Sequence, residues 1–172
     1  MNKQFDKMTT FSVFDTGEVE VGMADVELPD LEFMQEKISG AGIAGEVELP
    51  TLGHILSMTT KIKWRTVTKE SVVLVAPTTH DLEMRGAQQY YEGGGGNLGV
   101  QQIVINIRCL PKKMGLGKMG VGIKTDTENN FETVYLKLQI DGKKVIEIDK
   151  FNYICYISGT DWLADVRSAL GI

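Results

Sequence analysis

Residues 129–156, NNFETVYLKLQIDGKKVIEIDKFNYICY, carry the pattern that decides the fold. From Asn129 to Ile140 the side chains alternate in character, the period-two signature of a strand with two unlike faces. One predicted face is apolar and consists of Val134, Leu136, Leu138 and Ile140. The opposite face consists of Thr133, Tyr135, Lys137 and Gln139. We therefore expect one side of this strand in a core and the other against water or a partner.

A tight turn follows this strand and predicts a hairpin. Asp141-Gly142 is a strong hairpin signal, because a tight primed turn needs positive φ at both central residues. Lys143–Asp149 brings the chain back, and Phe151–Ile157 is rich enough in β-branched and aromatic residues to form a third strand. The three strands predict a mostly antiparallel sheet that acts as a scaffold and contains no obvious reaction centre.

Length and composition indicate one globular domain. A chain of 172 residues is long enough to bury a core without the help of disulfide bonds or structural metals. Its content of 42% hydrophobic and 24% charged residues is ordinary for a soluble protein. The N-terminus lacks the apolar region of a signal peptide, and no run approaches the length of a membrane span, so we expect folding in a cytoplasm. Cys109 and Cys155 lie in apolar runs and are expected to be buried thiols.

The net charge of −5 is unevenly distributed along the chain. Residues 1–50 contain 11 acidic and 3 basic residues, residues 51–125 contain 4 and 10, and residues 126–172 contain 8 and 5. Such a division is either incidental or, in a protein that stacks on copies of itself, a determinant of register and orientation. An acidic chain without a basic stripe is a poor candidate for reading a nucleic-acid sequence.

Other segments extend the β prediction. Alternation is longest from His54 to Thr66, and in Val100–Leu110 three isoleucines are expected to point inward while polar residues point outward. Thr160–Leu170 is predicted to be a helix with a glycine C-cap, and Lys69–Ala76 fits either a strand or a short helix. The predicted fold class is therefore mainly β: a single-domain antiparallel barrel or sandwich with a short C-terminal helix and at most one further short helix.

Two segments are expected to lie outside this regular core. Residues 1–15 form a polar N-terminal arm with an aromatic patch, either loose or docked on a neighbour. Residues 40–53 form an extended, glycine-rich loop, and an excursion of this kind serves little purpose in a lone compact domain. We therefore expect the loop to reach a neighbouring subunit, the alternative being an ordinary surface loop.

Each sequence pattern that resembles a reactive site lacks part of what that site requires. Gly115–Gly120 has the spacing of a dinucleotide fingerprint, but that motif binds a pyrophosphate only where a helix follows, and no helical pattern follows here. His54 and His80 lie outside any metal-spaced cluster, and Asp126 with Glu128 lack the remaining ligands of a calcium loop. The residues predict no catalytic group, cofactor or metal.

Several short segments follow one another in a characteristic order along nearly the whole chain. They are Gly22–Pro29 (GMADVELP), Ser39–Glu46 (SGAGIAGE), Asp81–Gln89 (DLEMRGAQQ), Tyr135–Leu138 (YLKL) with Asp141-Gly142 and Ile148–Lys150, and Gly159–Leu163 (GTDWL) with Val166-Arg167 and Ala169–Ile172. Their succession resembles the major tail tube protein of contractile-tailed phages, a family that also includes the inner tubes of bacteriocins of the R-type pyocin kind.

The resemblance implies a single tail tube domain over residues 1–172 that assembles into stacked hexameric rings. Such a tube lies within a contractile sheath, is driven through a target envelope when the sheath contracts, and conducts DNA in a phage. Its partners would be copies of itself, the sheath, the baseplate and the tail terminator. Assembly would occur in the cytoplasm of a bacterial host, and the product would be a virion tail or a released bacteriocin particle.

Two surfaces follow for such a tube. The candidate stacking residues are Gly40, Gly42, Gly45, Glu46, Glu48, Lys61, Lys63 and Arg65, in which carboxylates of one ring would meet bases of the next, together with Lys112 and Lys113. The candidate lumen residues are Gln102, Asn106, Arg108, Thr133, Lys137 and Gln139, because a conduit should present hydrated groups; the alternative is that they face the sheath. Two other functions stay open, a soluble β-sandwich that binds a ligand and an enzyme that binds a nucleotide at Gly115–Gly120.

Overall fold

The computed structural model describes residues 3–15, 19–21 and 24–172 as a mainly antiparallel β domain with two short helices. The strands are β1 (Lys3–Asp15), β2 (Val19–Glu20), β3 (Ala24–Glu27), β4 (Phe33–Ser39), β5 (Glu46–Ile55), β6 (Met58–Trp64), β7 (His80–Glu92), β8 (Leu98–Gly115), β9 (Thr127–Ile140), β10 (Lys143–Asp149), β11 (Ile154–Ile157) and β12 (Thr160–Asp161). The helices are α1 (Lys69–Val73) and α2 (Ala164–Leu170).

One large sheet organises the domain. Its strands run in the order β12-β11-β10-β9-β8-β7-β1-β2, and all of these neighbours are antiparallel. β3 pairs with β6, which in turn pairs with β9. β4 and β5 form a separate two-stranded hairpin.

Strand β9 joins three strands and changes face along its length. One edge pairs with β8, while the other pairs with β6 over Thr127–Thr133 and with β10 over Tyr135–Ile140. Opposite β8, Arg108 pairs with Tyr135 but Cys109 pairs with Thr133, so Val134 is an extra residue in the ladder. Such a bulge bends a strand and reverses the alternation of its side chains.

The core lies between the inner face of the large sheet and the layer formed by β3, β6 and α1. Its buried hydrophobic residues are Val13, Val21, Met58, Ile62, Trp64, Leu74, Leu82, Met84, Ile107, Cys109, Phe131, Leu136 and Ile148. A buried polar chain joins the layers, because the indole of Trp64 donates to the Asn129 side chain (2.9 Å), which donates to the carbonyl of Ser71 (3.2 Å). α1 is thereby fixed over one end of the core.

The central prediction from sequence is confirmed. β9 and β10 form the predicted hairpin, and both turn residues have positive φ, 48° at Asp141 and 74° at Gly142. The ambiguous segment at residues 69–76 contains helix α1, whose N-cap Thr68 accepts a hydrogen bond from the Ser71 amide. Cys109 and Cys155 are buried free thiols, as expected.

Two predicted boundaries were wrong. The third strand begins at Ile154 instead of Phe151, because the Asp149 carboxylate accepts hydrogen bonds from the Phe151 and Asn152 amides and holds a turn there. The C-terminal helix begins at Ala164 instead of Thr160, because residues 160–161 pair with β11. Its C-cap, Gly171, adopts the predicted left-handed conformation with φ 73°.

The two segments expected outside the regular core are largely strand. Residues 3–15 of the predicted arm form β1, which pairs along its length with β7, and Met1 and Asn2 lie outside the described residues. In the predicted loop at 40–53, residues 46–53 belong to β5, since Glu46–Leu49 alternates polar and apolar side chains and suits a strand. Within the described residues no helix is long and apolar enough to cross a membrane.

Candidate assembly surfaces

Five of the six candidate lumen residues share one face of the large sheet. On β8 these are Gln102, Asn106 and Arg108, and on β9 they are Lys137 and Gln139. The register places them side by side, since Asn106 lies opposite Lys137 and Arg108 lies opposite Tyr135. We call this surface, with its neighbours on β7 and β10, the polar face.

Thr133 does not belong to the polar face. Its side chain is 0% exposed, and its hydroxyl lies 2.6 Å from the hydroxyl of Thr60. The bulge at Val134 reverses the alternation, so that Thr133 points into the core together with Leu136. The assignment of Thr133 to the lumen wall was therefore wrong.

Charges on the β7–β8 part of the polar face are paired across the strands. Arg108 donates to Asp81 (2.8 Å), and Glu83 accepts from Asn106 (2.7 Å) and from Arg85. Partial burial disfavours the Glu83 carboxylate, but the hydrogen bonds from Asn106 and Arg85 outweigh it and hold the pKa of Glu83 below its usual value. This carboxylate is therefore ionised at neutral pH and locally compensated.

The β9–β10 part has the same construction. Glu147 accepts hydrogen bonds from Lys144 (2.6 Å) and from the Tyr135 hydroxyl (3.0 Å), which hold the pKa of Glu147 below its usual value. Burial, together with Glu147, raises the pKa of Tyr135 to about 12. Tyr135 therefore remains a hydrogen-bond donor at any physiological pH, and the polar face is a hydrated surface with paired charges.

One edge of the large sheet is open. β1 pairs with β2 only at Phe14 and Asp15, and among the described residues no strand pairs with that edge between Lys3 and Ser12. The backbone amides and carbonyls along this edge can accept another strand. Part of the segment is also apolar and exposed, notably Phe5 and Met8.

The β4–β5 hairpin has two unlike faces. Three exposed apolar residues, Ile38, Val47 and Leu49, lie on one face by alternation and register, and Glu36 lies there too, opposite Leu49. The opposite face contains Lys37, Glu46 and Glu48, with Lys37 paired to Glu48 at 3.5 Å. The candidate glycines form the turn at its tip, where Gly40, Gly42 and Gly45 have φ of 146°, 99° and 118°.

The hairpin is anchored at its base. Gly53 of β5 has φ 67°, and a Cβ at this position would lie 2.5 Å from Cγ of Leu163, which is buried. The Leu56 amide donates to the carbonyl of Glu32, closing the two strands at this end (2.8 Å). These contacts fix the base of the hairpin, while the apolar residues near its tip are exposed.

Three of the five candidate stacking bases, Lys61, Lys63 and Lys112, have acidic partners within the described part of the chain. Lys61 binds Glu27 at 3.0 Å, and Lys63 binds the other oxygen of the same carboxylate. These hydrogen bonds hold the pKa of Glu27 below its usual value, that from Lys63 being the stronger. Lys112 pairs with Glu132 at 3.2 Å. The single chain therefore does not bring Glu46 or Glu48 together with these bases.

The structure exposes a further apolar surface that was not predicted from the sequence. Residues 116–126 connect β8 to β9 and expose four apolar side chains, Leu116, Met119, Val121 and Ile123, of which Met119 is 98% exposed. Because the segment leads into a strand, it lacks the helix that a dinucleotide site needs. The signal that could have revealed the surface is the placement of large apolar residues between glycines, where no core could cover them.

An apolar pocket of about 230 Å³ opens beside β1. It is lined by Met8, Phe11, Val26, Leu28, Met84, Gly86, Ile103 and Ile105. Ligand sites usually combine apolar walls with a few polar groups that orient the ligand, and this lining has none among its side chains. Among the described residues, no group of three or more His, Cys, Asp or Glu side chains is placed to hold a metal.

The chain is similar to known proteins whose descriptions agree with the features given above. The model of the family described as phage tail tube protein FII matches residues 6–171. The tail tube protein of Escherichia phage P2 is 32% identical over 174 aligned residues, which cover 96% of this chain and 97% of that protein. Both matches are to structural components of phage tails and not to enzymes. The chain therefore belongs to the phage tail tube protein FII family.

Proposed function

We propose that the chain forms hexameric rings that stack into the hollow inner tube of a contractile tail or of a tail-like bacteriocin. The observation that carries this proposal is the open edge of β1. A long edge strand with exposed apolar side chains invites pairing with another chain, and closure of several copies into a ring removes such edges. Membership of the tail tube family supports the same assembly.

The polar face is the proposed lumen wall. A conduit needs a hydrated surface that does not grip its cargo, and the paired charges between Asp81 and Arg108 and between Glu147 and Lys144 meet that need. The opposite face of the sheet packs into the core. In a phage the cargo would be DNA, which would pass over this surface.

The tube would be a rigid conduit that contacts other proteins along its length and at its ends. We infer contacts with further copies of the chain, with the sheath that surrounds the tube, and with baseplate and terminator proteins at its ends. Sheath contraction would drive the tube through the target envelope. Assembly would take place in the cytoplasm of the bacterial host, and genes for a capsid and a terminase beside this gene would identify a phage instead of a bacteriocin.

Self-assembly tests the proposal directly. The purified chain should form rings or tubes with a central channel in negative-stain electron microscopy, and light scattering after size-exclusion chromatography should give the mass of a hexamer or a larger species. A chain that stays monomeric at high concentration, both alone and with its tail partners, would contradict the proposal. A soluble ligand-binding module would behave in that way.

Cysteine labelling tests the position of the polar face. Gln102→Cys and Lys137→Cys in assembled tubes should react with a small maleimide that enters the lumen but not with a bulky polyethylene-glycol maleimide. The disassembled monomer is the matched control and should react with both reagents. Rapid modification by the bulky reagent in intact tubes would place this face on the outside, against the sheath.

A further inference from the structure

Strand β1 contains two β-bulges in close succession. Between Phe5 and Met8 it advances three residues while its partner β7 advances two, and between Met8 and Thr10 it advances two while β7 advances one. The strand therefore has one extra residue on each side of Met8. An extra residue of this kind is unpaired in the ladder, bends the strand and increases its local twist. We call residues 6–9 the bulged segment.

The irregularity belongs to the edge strand alone. β7 pairs with β8 residue for residue over residues 80–91, with no shift in register. β1 itself returns to regular pairing over residues 10–15. The bulges are therefore not forced on β1 by an irregular neighbour.

Side-chain contacts hold the bulged segment in place. Met8 lies over Gly86, where an added Cβ would be 2.8 Å from the methionine sulfur. The Gln89 side chain donates to the Asp6 carboxylate (3.3 Å). The preceding Phe5 ring packs edge-on against an aromatic ring of β7, with the centroids 5.9 Å apart. The bulged conformation is thus a packed structure and not a frayed end of the chain.

The bulges interrupt the free edge of the large sheet. Another strand pairs with an edge whose amides and carbonyls are regularly spaced, and a bulge that twists the edge away is one device by which proteins prevent such pairing. On the other side, the Val13 carbonyl accepts a hydrogen bond from the Val21 amide (2.9 Å). Between this bond and the bulged segment, only residues 10–12 of the described chain form a regular free edge.

We propose that the bulged segment is an assembly gate, which keeps the β1 edge of a free chain from pairing with another copy. The gate opens when the segment straightens, at the expense of the packing of Met8 on Gly86. Two free chains have few further contacts to offset that loss, whereas a chain added at the end of a tube contacts several copies at once. The gate rests on the proposed function, because it controls the edge that closes the ring.

The structure has room for this rearrangement. Met8 lines the apolar pocket beside β1, which has a volume of about 230 Å³. Methionine is unbranched and has three rotatable bonds, so its side chain can adapt to an irregular space. It can therefore move into the pocket when the backbone of the bulged segment shifts.

Deletion of the extra residues tests the gate. Deletion of Thr9, of Lys7 or of both restores one-to-one pairing with β7 and preserves the register on either side. Each single deletion should speed association from the monomer about tenfold in light scattering, because one local backbone rearrangement no longer precedes pairing. Thr9→Ala removes the side chain but keeps the bulge, so this matched control should associate at the wild-type rate.

A substitution under Met8 tests the gate without a deletion. The added Cβ of Gly86→Ala displaces the Met8 side chain and should also speed association. Gly94→Ala is the control, since a Cβ at that position has no neighbour within 4 Å. Circular dichroism verifies that each variant is folded, and negative-stain electron microscopy distinguishes rings and tubes from aggregates.

The outcomes separate this inference from the proposed function. Folded deletion variants that associate at the wild-type rate would overturn the gate and leave the tube intact. Folded deletion variants that form no tubes although the wild type does would also overturn it, because the bulges would then belong to the assembled edge. Association of the deletion variants alone, with a wild type that stays monomeric even with its tail partners, would support the gate and contradict the tube. Association of neither would overturn both.

Discussion

Replacement of Asn129 by alanine tests whether the buried polar chain joins the two layers of the domain. Asn129 is 1% exposed, accepts a hydrogen bond from the Trp64 indole and donates one to the Ser71 carbonyl. The variant removes both bonds and adds no new group. Trp64 loses the partner of a buried N–H, and α1 loses one of its ties to β9.

The expected loss follows from the two groups left behind. A buried donor or acceptor without a partner costs about 1–3 kcal/mol, so the two together should lower the free energy of unfolding by about 2–6 kcal/mol. That is a large share of the roughly 5–15 kcal/mol that stabilises a typical domain. Asn130 is the matched control, since its Oδ1 is buried without a hydrogen-bond partner in the described part of the chain. Asn130→Ala should therefore change the stability by less than about 1 kcal/mol.

Urea unfolding measures both variants. Tryptophan fluorescence and circular dichroism should be followed at a protein concentration at which light scattering shows no assembly, because association would add its own stabilisation. Equal losses in the two variants, or a loss below about 1 kcal/mol for Asn129→Ala, would refute the role of the chain from Trp64 to Ser71.

Three further substitutions or treatments have defined outcomes. Gly53→Ala should lower the free energy of unfolding, measured with heat or urea, by about 1–3 kcal/mol more than Gly142→Ala does. Both substitutions strain the backbone, but only the first collides with Leu163. Equal losses would exclude that collision. Asp161→Asn should lower the stability by about 1.5–3 kcal/mol at pH 7, and the difference from wild type should fade below about pH 4. Burial opposes ionisation of Asp161, but hydrogen bonds hold its pKa low, so its contribution exists above the unfolded pKa and disappears as the pH falls; a difference independent of pH would contradict this. Burial raises the pKa of Cys109 to about 12, so Ellman's reagent at pH 8 should leave it unmodified in the folded chain and modify it in urea; rapid reaction of the folded chain would show that the core opens.

The hairpin at Asp141-Gly142 could be predicted because its determinants are local. Two residues that tolerate positive φ, flanked by alternating strands, leave few other conformations. The glycine C-cap of α2 could be predicted for the same reason. The start of α2 could not, because Thr160 and Asp161 pair with β11, and Asp161 also accepts hydrogen bonds from the amides of Cys155 and Leu163.

The error at Thr133 has a single physical cause. A β-bulge changes the face of every side chain beyond it, and nothing in the sequence around Val134 signals the extra residue. The polar residues on either side of a bulge therefore look alike in sequence although one set is buried. Lys137 and Gln139 were grouped correctly with Asn106, since all three lie on the same side of the bulge.

The assembly surfaces were harder to predict than the sheet. Residues 40–53 were predicted from their glycines to be an extended loop, but the strands β4 and β5 and their apolar face depend on a register that spacing alone does not give. The connection at residues 116–126 was considered only through Gly115–Gly120, as a nucleotide motif, because the exposure of its apolar side chains is a property of the folded chain. Lys61 and Lys63 were assigned to a neighbour because their pairing with Glu27 depends on the contact between β3 and β6.

The central position of β9 also sets the order in which the nascent chain can fold. β6, β8 and β10 all pair with this strand, and β9 ends at Ile140 of a chain of 172 residues. Residues up to 140 must therefore leave the ribosome before the two layers can close on each other. Until then the β4–β5 hairpin, the open edge of β1 and the exposed apolar side chains of residues 116–126 are present in several copies on one polysome. Premature contact between neighbouring nascent chains is thus a hazard of this topology until β9 has been made.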